Sequence, residues 1–126
     1  WFVDVSVSRR DWVMYEEPED EKSGTLVDTA DEYLPKLGRR LENIPPARTK
    51  GDMCIVVNGI DVHEKSKYGL SGIALSEIMQ RNGMIREWAK RNQYLLVGIG
   101  GGTGAEWDDD YRDVVHHHAI SALLGL

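Results

Sequence analysis

Met53-Cys54-Ile55-Val56-Val57-Asn58-Gly59-Ile60-Asp61 is a short apolar run, rich in β-branched residues, that stops abruptly in a polar turn. Its length suits a strand. Its unbroken apolar character predicts burial on both faces, as in the parallel strands of α/β domains. Tyr94-Leu95-Leu96-Val97-Gly98-Ile99 repeats the pattern and runs straight into Gly100-Gly101-Gly102-Thr103-Gly104. Between the two runs, residues 71–92 carry Leu75, Ile78, Ile85, Trp88 and Ala89 on one helical stripe, with Glu77, Arg81, Arg86 and Lys90 assigned to the outside. Gly83 lies within this helix and predicts a bend or break. The unit is strand, helix, strand.

The flanking sequence extends the alternation in both directions. Trp1, Val3, Val5 and Val7 alternate with Asp4, Ser6 and Ser8, which predicts a half-buried first strand. The acidic stretch from Glu16 to Gly24 has no apolar period and reads as a solvated loop. Tyr33, Leu34, Leu37, Leu41 and Ile44 then fall at helical spacing. Pro35 lies either in the first turn, with Asp31 as N-cap, or at a kink in a longer helix. Ile44-Pro45-Pro46 ends this helix. At the other end, residues 110–126 place Tyr111, Val115, Ala119, Ala122 and Leu126 on an expected inner stripe. The order of elements predicts an α/β domain with a mainly parallel sheet, helices packed on its faces and right-handed crossovers.

With 126 residues the chain fits one domain spanning 1–126. The first residue is Trp1, and a strand starts at once, so the reading includes a fragment of a longer protein, incomplete at its amino end. A net charge of -6, with 15 Lys and Arg against 21 acids, argues against a nucleic-acid partner, which needs a basic face. No apolar stretch approaches the roughly 18 residues of a membrane span. The single cysteine, Cys54, leaves no disulfide framework and reads as a small buried hydrophobe, in keeping with an intracellular setting.

In open α/β sheets ligands bind beyond the carboxyl ends of the strands. Three polar clusters fall there: Ser6 and Ser8, then Asn58, Gly59 and Asp61, and finally the glycine run followed by Asp113 and His116. Asp113-Val114-Val115-His116 puts a carboxylate and an imidazole on one helical turn. The carboxylate can accept the Nδ1 proton and raise the basicity of Nε2, as a general base requires. The same spacing also arises in purely structural settings. His116-His117-His118, with Asp108 to Asp110 nearby, admits a metal reading, but successive histidines on a helix point about 100° apart and no i,i+4 pair is present. No metal or cofactor is expected. Gly100, Gly101, Gly102 and Thr103 could cradle a phosphate with backbone N–H groups or form a turn that shapes the site, although no Walker lysine follows.

The block Asn58-Gly59-Ile60-Asp61 after a buried strand, together with Asp113-x-x-His116 before a terminal apolar helix, resembles the SGNH or GDSL hydrolases over roughly residues 30–126. The resemblance implies a flavodoxin-like three-layer sandwich and a serine esterase or acyl-hydrolase acting on a small-molecule ester. In it His116 is the general base, Asp113 orients it, and Asn58 donates to the oxyanion. Asp61 matches the final acid of the family's Gly-x-Asn-Asp block, while Ile60 stands where its Asn should be. The family's Gly-Asp-Ser nucleophile block is absent, which leaves Ser6 or Ser8 as stand-ins. Two other readings stand beside this one: a catalytically inactive interaction module that binds another protein or other domains of a longer chain, and a phosphate or nucleotide binder using residues 98–104.

Overall fold

The computed structural model describes residues 5–6, 25–66, 68–101 and 111–123, with the side chains of 6, 111, 113, 114, 117, 121 and 123 excepted. Within them the chain is a mixed α/β domain. Its elements are β1 (Val5–Ser6), β2 (Thr25–Leu26), α1 (Ala30–Glu42), β3 (Met53–Gly59), α2 (Leu75–Arg91), β4 (Leu95–Gly101) and α3 (Tyr111–Leu123). β1 pairs with β2, and β3 with β4, both in parallel. The parallel pairing follows the expectation from strand-helix-strand alternation. β2 was not foreseen, because a two-residue strand carries no period to read. The acidic stretch 16–24 lies outside the described residues.

α1 is the longer of the two helices that the sequence allowed. Thr29 is the N-cap in place of Asp31, so Pro35 sits inside the helix, beyond the first turn. Proline cannot return an N–H bond to the Asp31 carbonyl. The helix persists because Tyr33, Leu37 and Leu41 are buried along its stripe. Lys36 ties it to β2, its Nζ donating to the Leu26 carbonyl at 2.9 Å and to Glu32 Oε2 at 2.9 Å.

α2 runs unbroken through Gly83. At its start Glu77 Oε2 accepts the Ala74 N–H at 2.9 Å. At its end Gln93 takes a left-handed backbone, φ 62°. Tyr94 N–H then bonds to the Ala89 carbonyl at 2.9 Å and Gln93 N–H to Lys90 at 3.2 Å, a Schellman stop that turns the chain into β4.

Among the described residues the core forms two clusters. Leu37 and Leu41 of α1 meet Ile85, Trp88 and Ala89 of α2, with Cys54, Val56 and Leu96 packed from the sheet. Val27, Tyr33, Ile73 and Ile78 form the second. Val5 of β1 touches both. Stacking of Trp88 on Tyr94, centroids 5.2 Å apart, and the bond from Tyr94 Oη to the Pro45 carbonyl at 2.8 Å close the amino end of β4.

Three sequence expectations are corrected. β3 and β4 are not buried on both faces: Cys54, Val56 and Leu96 pack on the helices, while Met53, Ile55, Val57, Leu95, Val97 and Ile99 are exposed. Arg81, assigned to the outside of α2, is buried at 7% exposure. The expected inner stripe of α3 faces outward at Val115, Ala119 and Ala122, while His118 and Ile120 are half-buried.

Candidate functional site

Two features stand out, and both are set by β3 and β4. The first is a polar cluster at their carboxyl ends. Register pairs Asn58 with Gly100 and Gly59 with Gly101. Asn58 points to the helical face and is 3% exposed. Its Oδ1 accepts a hydrogen bond from Arg81 Nη2. Arg81 also donates from Nη1 to the Gly59 carbonyl at 2.7 Å and to Tyr33 Oη at 3.1 Å, and from Nε to Asn82 Oδ1 at 3.0 Å. One guanidinium thus rivets β3 to both helices. All four partners are uncharged oxygens, so a buried positive charge stands under the strand ends with no carboxylate on it among the described residues.

The loop from Ile60 to Ile73 folds back beside this cluster. Glu64 N–H bonds to the Ile73 carbonyl at 2.8 Å and Leu70 N–H to Val62 at 3.2 Å, which closes the loop on itself. His63 and Ser66 are buried in it. His63 Nδ1 accepts the Lys65 N–H at 3.1 Å, so this imidazole is used by the loop. Gly69 is required by space: a Cβ there would lie 1.7 Å from the His63 carbonyl oxygen. At the loop's exit the Glu77 carboxyl is held below the usual range, chiefly by the Ser76 hydroxyl, with backbone N–H groups and His63 adding to the effect.

The predicted site residues distribute unevenly. Asn58 and Gly59 are at the strand end, bonded to Arg81. Asp61 follows them and folds back, its Oδ1 lying 2.6 Å from where a Gly59 Cβ would be. Gly100 and Gly101 close β4. His116 is exposed on α3. The ring that reaches the sheet is His118, whose Nδ1 and Cε1 lie 3.6 Å from the position a Gly100 Cβ would take. Its Nε2 is buried and has no hydrogen-bond partner among the described residues. Asp113 lies on the helix with its side chain outside the described residues, and Ser6 lies in β1 with the same restriction. Ser8, Gly102 and Thr103 fall outside the described residues.

Arg81 and Tyr33 were not singled out as site residues from the sequence, and His118 entered only as one of three histidines in the metal reading. The spacing of Ile78, Arg81, Asn82 and Ile85 held the signal for Arg81, since these share one helical face. Burial pushes the Cys54 thiol up, which keeps it in the unreactive form.

The second feature is the opposite face of the same strands. Met53, Ile55 and Val57 on β3 stand beside Leu95, Val97 and Ile99 on β4, each between 38% and 70% exposed. This is a continuous aliphatic surface with no charged side chain in either row. Single exposed apolar residues are ordinary, whereas a contiguous apolar face marks a surface that another surface covers.

Fold and site together define a mixed α/β domain with a one-sided parallel strand pair. Compared with family models, curated proteins and solved structures, the chain matches none. Among the described residues no helix is long and apolar enough to cross a membrane.

Proposed function

We propose that this chain is an α/β interaction module whose working surface is the open face of the β3–β4 sheet. The observation that carries the reading is the pair of aliphatic rows 53/55/57 and 95/97/99, which face away from the helices and are exposed. A sheet with one face on helices and the other bare is two layers of a three-layer sandwich. On this reading the third layer is contributed by another polypeptide surface, and burial of the rows drives the contact.

The test uses an apolar dye of the ANS type, which fluoresces on exposed hydrophobic surface. Wild-type protein in dilute solution is expected to bind it, and V57K/I99K to lose most of that signal while keeping the wild-type circular dichroism spectrum. Dye binding that the double substitution leaves unchanged removes the reading.

The orphaned Nε2 of His118 favours a second reading, an ester-hydrolase site at the carboxyl ends of β3 and β4. It keeps the chemistry that the resemblance to SGNH hydrolases implies. His118 replaces His116 as proton acceptor, and Arg81 holds the Asn58 side chain to which the resemblance gives the oxyanion role. A buried polar atom without a partner calls for a functional or solvent explanation. The discriminating assay is turnover of a short-chain nitrophenyl ester. H118A is expected to abolish it and H116A to spare it, and the reverse pattern, or no turnover by the wild type, removes this assignment.

A further inference from the structure

We propose that the open face of the β3–β4 sheet is closed by a second copy of this chain, two sheets packing face to face about a two-fold axis. This rests on the interaction reading above and names its partner. The face is built from three cross-strand pairs, Met53 with Leu95, Ile55 with Val97 and Val57 with Ile99. At exposures of 38% to 70%, side chains of this size present roughly 600 Å² of apolar surface. Two copies would remove roughly 1,200 Å² from water, the lower bound for a specific and stable interface.

Self-complementarity is the second argument. A two-fold contact sets a patch against its own image, so a charge near the axis would meet its own copy, and a charge anywhere else in the patch would be buried against an aliphatic row. Neither row contains one. Twisted sheets stack about 10 Å apart with strand directions within about 30°, and alternating side chains then interdigitate. Rows of Met, Ile, Val and Leu suit that packing, since no polar atom needs a partner in it. The opposing force is the charge of -6 on each copy. It acts between solvent-exposed groups and is screened by salt, so association strengthens as salt rises. A contact held by ion pairs would weaken instead.

The experiment is sedimentation velocity on the whole chain from about 5 to about 200 µM, at low and at moderate salt, with V57K/I99K alongside. Val57 is 70% and Ile99 48% exposed, so the substitutions disturb no packed core. The expected result is a monomer-to-dimer shift with concentration in the wild type, larger at moderate salt, and a variant that remains monomeric at concentrations at least about tenfold higher. A wild type that stays monomeric throughout yet binds the apolar dye through this face overturns the second copy as partner and leaves the interaction reading standing. A monomer that neither associates nor binds the dye overturns both. Dimerisation that the variant retains in full places the contact elsewhere and also overturns the proposal.

Discussion

Arg81 shows how a single side chain organises the end of a sheet. Its guanidinium gathers Asn58, Gly59, Tyr33 and Asn82, which belong to three different elements. Truncation would take a charged donor from each of these acceptors, and a buried hydrogen bond lost in this way costs about 1–3 kcal/mol. R81A is therefore expected to lower stability by about 3 kcal/mol or more, the sum of a few such losses. R81K should cost less, because the ammonium keeps the charge but cannot span four acceptors from a planar fork. Urea denaturation checks both. An R81A midpoint within error of the wild type would mean that the cluster is dispensable. In the sequence Arg81 was misplaced because charge was given more weight than spacing. Position 81 follows Ile78 by three and precedes Ile85 by four, which puts it on the inner face. His118 was harder to foresee. Three adjacent histidines differ only in angle around the helix, and which one meets Gly100 depends on how α3 docks.

At the scale of elements, the alternation of strands and helices was legible because α1 and α2 kept their apolar stripes. Leu37 and Leu41 in α1, and Ile85, Trp88 and Ala89 in α2, are in the core as their spacing predicts. The connections were legible in part. The Pro45-Pro46 stop after α1 is present, while the stop after α2 uses Gln93 in the conformation glycine usually takes, so composition gave no cue. β3 carried the most consequential misreading. A strand with every residue apolar has no polar alternation to reveal an exposed side, and it reads as buried on both. Cys54 and Val56 honour that expectation, whereas Ile55 and Val57 do not. α3 failed for a related reason: its apolar and small residues are spread around the helix, so several stripes fit the sequence equally well.

At the scale of the whole molecule, the one-sided sheet joins the observations together. The helices α1 and α2 bury one face of β3 and β4, Arg81 fixes the strand ends, and the other face is left as an uncharged aliphatic surface. The sequence announced the apolar content of that surface but not its exposure, because exposure depends on which layers are present rather than on any local pattern. Carbene footprinting of the dilute protein, read residue by residue along β3, measures this directly. Labelling is expected at Met53, Ile55 and Val57, with Cys54 and Val56 protected, and the labelled positions should become protected at concentrations where the protein associates. Uniform protection of residues 53–57 in dilute solution would mean that both faces of the strand are already covered, and the open face would be lost as the working surface.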